Sequence, residues 1–296
     1  MRILLFGKGG QLGHELLRAL APLGELIALD RHMPGGDLSQ PEAVAAAVRR
    51  LRPTVIVNAA AYTAVDQAER EPALARRINT ECVATLAREA EAIGAWLMHY
   101  STDYVFDGQG DRPWREEDST APLNVYGQTK LAGEQAAARC TRHLIFRVSW
   151  LYAAHGRNFI TTMLRLGRER EQLAVVNDQF GAPTHAALVA DCTAHALRLA
   201  WQQPKLAGLY HLAAAGTTSW YEVARLLFDA QRTAGHPLTL GALHPISSEE
   251  YPCPARRPHN SRLNTEKFAH TFGLTLPHWQ SELERVLAGM LATSPP

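Results

Sequence analysis

Short, uninterrupted apolar runs alternate with stretches of helical period through the first half of the chain. Residues 3–6, 25–29, 55–57, 96–100 and 144–148 have strand length and little polar alternation. That pattern predicts strands buried on both faces. Between the first two, Leu12, Leu16, Leu17 and Leu20 repeat along one face of a helix over residues 11–20. An alanine-rich helix is predicted over 41–51, capped by Ser39. Residues 71–93 are expected to be mainly helical, and 126–139 helical. Strands alternating with helices imply an α/β, Rossmann-like doubly wound parallel sheet. Ligands of such sheets sit beyond the C-terminal strand ends.

After residue 150 the pattern loosens. Short strands are predicted at 175–176 and 210–212, and helices near 187–201, 220–231 and 276–291. The prolines at 245, 252, 254 and 258 suggest an extended connection. The expected organisation is a nucleotide-binding domain over 1–150 that carries the catalytic residues. A smaller α/β, mainly substrate-binding region over 151–296 would send segments back to the main sheet.

Composition narrows the function classes. Thirty basic residues against 29 acidic give a net charge of +1. This offers no global electrostatic case for nucleic acid or a membrane surface. The four cysteines are scattered and form no CxxC pair. The apolar run at the N-terminus is too short for a signal-peptide core, and no stretch has the length of a membrane span. The expectation is a soluble, cytoplasmic protein.

The first candidate chemistry lies between the first strand and the first helix. Gly7, Gly10 and Gly13 form a GxxGxxG pattern there, with Lys8, Gln11 and Leu12 between them. Glycine permits a tight turn and close approach by a pyrophosphate, whose charge suits a helix N-terminus. Lys8 could add positive charge. Asp30 ends the second strand, where an acid can bind the adenosine ribose of NAD. Arg31 follows it and suits the extra phosphate of NADP. The two signals oppose each other, so use of both NADPH and NADH is expected, with a lean to NADPH. Asp37 and Leu38 are candidates for the adenine pocket. Ala59, Ala60 and Ala61 are small enough for close backbone approach, or for tight helix packing.

Tyr126 and Lys130 form a YxxxK pair one helical turn apart. Carbonyl reduction needs a proton for the developing alkoxide. A tyrosine holds its proton at neutral pH, and a nearby ammonium makes it a stronger acid. Thr102, just after the fourth strand, can hydrogen-bond the carbonyl oxygen. The ordered set of glycine-rich turn, Thr102, Tyr126 and Lys130 resembles the extended short-chain dehydrogenase/reductase superfamily.

A closer resemblance, over almost the whole chain, is to the dTDP-4-dehydrorhamnose reductase family. It is carried by the runs at 7–16, 57–69, 101–108, 122–130, 147–150, 177–184 and 257–263. The resemblance implies NAD(P)H-dependent reduction of the C4 keto group of a dTDP-linked sugar, the last step of dTDP-L-rhamnose synthesis. Tyr126 would be the proton donor, Lys130 its electrostatic partner and Thr102 the carbonyl contact. Thr63 and Tyr100 join the implied cofactor set. Val65, Asp103, Tyr104, Phe106 and Trp150 would shape the sugar pocket. Trp150 is also readable as a core aromatic, and Tyr104 with Phe106 as one face of an extended segment. Arg257 could neutralise the diphosphate. The resemblance further implies a homodimer with Mg²⁺ at the dimer contact, where Glu15 matches a ligand position; a solvated carboxylate is the plainer reading.

Thr102 and Asp103 are followed by Tyr104, so the Asp-Glu pair of sugar-nucleotide dehydratases is missing its second acid. A 4-epimerase would use the same Tyr-Lys pair with retained NAD. A non-catalytic alternative is a binding role like that of the regulatory subunit of methionine adenosyltransferase. Asp30 as ribose contact predicts that Asp30→Ala weakens NADH about tenfold, and NADPH less. Titration of each nucleotide checks this, and equal losses would remove Asp30 from that role.

Overall fold

The computed structural model describes residues 1–293. In its first half, β1 (Arg2–Phe6), α1 (Gln11–Leu20), β2 (Glu25–Leu29), α2 (Pro41–Leu51) and β3 (Val55–Asn58) follow one another with short connections. Helices α3 (Val65–Arg70), α4 (Pro72–Arg76) and α5 (Cys82–Ile93) lead to β4 (Trp96–Thr102), α6 (Val125–Ala137) and β5 (His143–Val148). The second half contains β6 (Leu151–Tyr152), α7 (Phe159–Glu169), β7 (Gln172–Val176), β8 (Phe180–Gly181) and β9 (Thr184–His185). It continues with α8 (Ala186–Gln202), β10 (Gly208–His211), β11 (Thr218–Ser219), α9 (Trp220–Thr233), β12 (Ala242–Ile246), α10 (Glu266–Phe272) and α11 (Trp279–Thr293).

The main sheet has the order β10-β5-β4-β3-β1-β2, and every pairing in it is parallel. Its strands are apolar on both faces because both faces are covered. Ile3, Leu5, Val57, Met98 and Phe146 point to the side packed by α1 and α8. Leu4, Phe6, Ile56, Leu97 and Ile145 point to the side packed by α2 and α5. Residues beyond 150 thus complete the first core: α8 packs on α1, and β10 adds the sixth strand beside β5. A third cluster, built from α7, α9, α11 and β7, forms the core of the second half.

Several boundaries differ from expectation. Ser39 does not cap α2; Gln40 is the flanking residue and makes no side-chain cap, while Ser39 donates its backbone N–H to Asp37. The helical stretch predicted over 71–93 is interrupted by a π-helical turn at Arg77–Glu81. That extra residue per turn lets Asn79 bond both backbone groups of Tyr62 and the Thr129 hydroxyl. Helix α7 was not predicted, because Thr161, Thr162 and Gly167 weaken its pattern. Asn158 starts it with a capping box to Thr161, and Gly167 gives room for Phe228. Helix α10 also went unforeseen. The proline-marked connection begins with a strand, β12, paired in parallel with β7.

Under the sheet's edge, Arg147 and Glu134 form a bidentate pair at 2.6 and 2.9 Å, their side chains 4% and 8% exposed. Arg147 also lies over the Phe106 ring and near His211. Removing one partner strands a buried charge. Glu134→Ala is therefore expected to cost roughly 3–5 kcal/mol in guanidinium unfolding. A loss below about 1 kcal/mol would mean that Arg147 is satisfied elsewhere.

Candidate active site

The glycine turn is shaped by contact distance. Gly7 has φ +85°, and a Cβ there would meet the Ala60 backbone nitrogen at 2.7 Å. A Cβ on Gly13 would stand 1.9 Å from the Gly7 carbonyl oxygen. Gly10 flanks α1 and offers no side-chain cap, so the N–H groups of the first turn are left for a ligand. The side chain of Leu12 is buried in the sheet core and contributes packing. A glycine cradle, an uncapped ten-residue helix and the small Ala59–Ala61 stretch fit the pyrophosphate of a nicotinamide dinucleotide. Asn58 fixes that stretch, accepting from the Ala60 N–H at 3.2 Å while its amide nitrogen meets His99.

Around the cradle the expected residues divide. Lys8 and Asp30 pair at 3.6 Å, which places the ammonium at the turn and the carboxylate at the end of β2. Asp30 also accepts from the His32 N–H, and Arg31 is exposed. Asp37 accepts from the backbone and side chains of Ser39 and Gln40, which hold its carboxyl below the ordinary range against burial. Leu38 is buried at 4% exposure. Thr63 is exposed in the connection after β3.

The side chain of Gln11 has a structural task, while its backbone N–H belongs to the first turn of α1. Its side-chain oxygen accepts from the Ala153 N–H at 2.9 Å and the Asn158 amide at 2.7 Å. It therefore ties the start of α1 to the second half of the chain.

The catalytic candidates converge at the ends of β4 and α6. Asn124 caps α6 by accepting from the Gly127 N–H, which orients the turn carrying Tyr126. Gly127 packs so closely on the Tyr104 carbonyl that a Cβ would stand 2.3 Å away. Lys130 is 3% exposed, and its ammonium donates to the Tyr100 carbonyl. Burial lowers its pKa to about 8, opposed by the Glu134 charge. Tyr100 contributes that carbonyl; its own hydroxyl faces away, bonded to Thr193.

Thr102 is 5% exposed and adjoins the Tyr126 hydroxyl. Burial pushes the Tyr126 phenol up to about 12; the Thr102 hydrogen bond opposes this and the Asp103 charge adds to it. The lowering expected from Lys130 is not among the influences on this phenol, whose shift is governed by burial, and the ammonium is engaged by the Tyr100 carbonyl. A phenol this weak keeps its proton at neutral pH.

The sugar-pocket candidates are only partly gathered. Tyr104 meets Tyr126 edge to face at 5.8 Å, and Val65 opens the partly buried α3 nearby. Asp103 is buried beneath Thr102. Phe106 departs from expectation: it is fully buried, stacked on Trp114 at 4.6 Å and lying under Arg147, so it supports the wall from behind. Trp150 has φ +47°, stacks on Trp220 at 3.6 Å and lies against Gly181. Backbone strain at a non-glycine residue of this size marks a position held by its surroundings. Arg257 is not free to meet a diphosphate as a bare cation, because it makes a bidentate pair with Asp66 at 2.8 and 3.0 Å.

Sequence reading passed over Trp220, Asp66 and Asn79, which act as supports. Only a pairwise pattern, invisible in one chain, would have marked them. Glu15 lies 3.8 Å from Arg18. Among the described residues no group of three His, Cys, Asp or Glu could hold a metal ion. Within one chain, then, the residues do not fit the oxygen-rich set that Mg²⁺ prefers. Among the described residues no helix is long and apolar enough to cross a membrane.

The family described as RmlD substrate binding domain matches residues 1–292. The dTDP-4-dehydrorhamnose reductase of Escherichia coli (strain K12) is 61% identical over 297 residues, with 99% of each chain covered. A crystal structure of a dTDP-4-dehydrorhamnose reductase from Clostridium acetobutylicum superposes with a TM-score of 0.88 at 34% identity, covering 98% of this chain and 99% of the other. That of the Bacillus anthracis enzyme in complex with NADP gives 0.87 at 35% identity, covering 97% and 99%. With its glycine cradle, its Thr-Tyr-Lys set and these matches along its length, the chain belongs to the dTDP-4-dehydrorhamnose reductase family.

Proposed function

We propose that the chain reduces the C4 keto group of dTDP-4-dehydro-6-deoxy-L-mannose to give dTDP-L-rhamnose, with NADPH or NADH as reductant. The observation that carries this reading is the juxtaposition of Thr102 and the Tyr126 hydroxyl at the C-terminal end of β4, in a sheet whose β1 runs into the glycine cradle. A nicotinamide dinucleotide held at the glycine cradle of Gly7, Gly10 and Gly13 would supply the hydride for C4. Tyr126 then gives its proton to the carbonyl oxygen as negative charge builds there. The Thr102 hydroxyl donates to the same carbonyl oxygen, and a phenolate is left on Tyr126. Lys130 keeps a positive charge beneath the site at neutral pH, which favours that phenolate.

Tyr104 stands beside Tyr126 where a dehydratase would carry its second carboxylate. An aromatic edge there shapes a pocket but cannot remove a proton from carbon, which favours simple reduction over elimination.

Tyr126→Phe keeps the ring and loses the proton. Turnover, followed by NADPH oxidation with the keto sugar nucleotide and by product identification, should fall at least ~100-fold with NADPH binding retained. Unchanged turnover would remove Tyr126 as the acid. Product other than dTDP-L-rhamnose would redirect the reading to another sugar nucleotide.

A cytoplasmic location and a homodimer belong to the same proposal and rest on the family resemblance. Any Mg²⁺ at Glu15 would have to take its remaining oxygen ligands from the partner copy. Sedimentation with and without EDTA is expected to show a dimer that loosens when the ion is removed. A dimer indifferent to EDTA would discard the ion, and a monomer would discard both.

A further inference from the structure

Thr102 has one hydroxyl proton and more than one claimant for it. In the structure Oγ1 donates to Oδ1 of Asp103 at 3.0 Å and accepts from the Tyr104 N–H at 3.2 Å. Its proton is thereby turned away from the cleft. A substrate carbonyl arriving there would meet lone pairs, which cannot polarise it.

Asp103 is 2% exposed, and its Oδ2 has no hydrogen-bond partner. The groups that face it are hydroxyls: Thr102 from β4, Ser149 from the end of β5, and Ser261 from the C-terminal segment. The phenols of Tyr104 and Tyr126 also feel its charge. The Arg257 guanidinium acts on the neighbouring Tyr104 and is already paired with Asp66. A buried carboxylate without a cation is costly, so the neutral acid is within easy reach.

We propose that Asp103 is a positioning residue that sets the direction of the Thr102 hydroxyl. As a neutral acid it donates its own proton to Thr102 Oγ1 and frees the Thr102 proton for the substrate carbonyl. As a carboxylate it takes the Thr102 proton and silences that contact. No bond beyond these hydrogen bonds is made or broken. The inference rests on the reductase reading of Thr102.

Burial places the Asp103 carboxyl at about 6, with the three hydroxyls pulling the other way. The neutral, active form therefore predominates below that value and is lost as pH rises through it. Lys130, at about 8, gives a separate step.

The test is the pH profile of kcat/KM for NADPH oxidation with the keto sugar nucleotide, which reports groups of the free enzyme. The unmodified enzyme should fall roughly 25-fold between pH 5.5 and 7.5, before the Lys130 step. In Asp103→Asn the amide can donate to Thr102 at every pH, so this fall should vanish while the step near 8 stays. In a Thr102→Val background, Asp103→Asn should leave the profile's shape unaltered, because nothing remains to be oriented. NADPH binding, read by nucleotide fluorescence, shows that each variant is folded.

A flat profile in the unmodified enzyme overturns the proposal. So does a fall that persists in Asp103→Asn, or loss of turnover in that variant at all pH values with NADPH still bound. Failure of the unmodified enzyme to turn over the keto sugar would instead sink the reductase reading, and this inference with it.

Discussion

An all-parallel sheet cannot leave a face to water, and this constraint governs how the chain is assembled. Covering both faces takes more helix than the first 150 residues supply. The deficit is met by α8, which packs on α1, and the sheet gains β10 from beyond residue 200. The two halves are therefore woven through one core. The second half's own cluster, around Phe228 and Trp279, is then held at the sheet's C-terminal edge, where the loops after β1, β3 and β4 emerge.

Buried polarity is concentrated at that edge. Asn58, His99, Thr102, Asp103 and Lys130 are each at most 5% exposed, yet none belongs to an ordinary core. Asn58 is held by His99 on the next strand and Lys130 by the Tyr100 carbonyl on β4, while Thr102 is held by the adjacent Asp103. Such groups are expensive to bury, and the tight packing of the sheet below keeps their geometry fixed. The high phenol pKa of Tyr126 and the low ammonium pKa of Lys130 have the same origin, exclusion of water, acting on charges of opposite sign.

Much of this was legible in the chain. Strands buried on both faces announce themselves as apolar runs, and a glycine triplet at a strand–helix junction has few other uses. Tyr126 and Lys130 share a helix, so spacing alone brings them together. What stayed hidden depends on residues far apart in sequence. Arg257 reads as a free cation until Asp66 is seen opposite it, and nothing near Gln11 in the chain announces that its side-chain oxygen accepts from Ala153 and Asn158. Phe106 belongs to the implied sugar-pocket set but turns inward, stacked on Trp114 beneath the Arg147 guanidinium. Helix α7 was obscured by weak helix formers whose cost is met by tertiary contacts.

The Gln11 contact and the Asp66–Arg257 pair lie at different places on the seam between the halves. One fastens the start of α1 to residues 153–158; the other fastens α3 to the C-terminal segment. A seam pinned at two points does not swing open like a book. Parting the walls would break two hydrogen bonds to an amide and a bidentate ion pair together. Opening along that seam therefore has to release both fastenings at once.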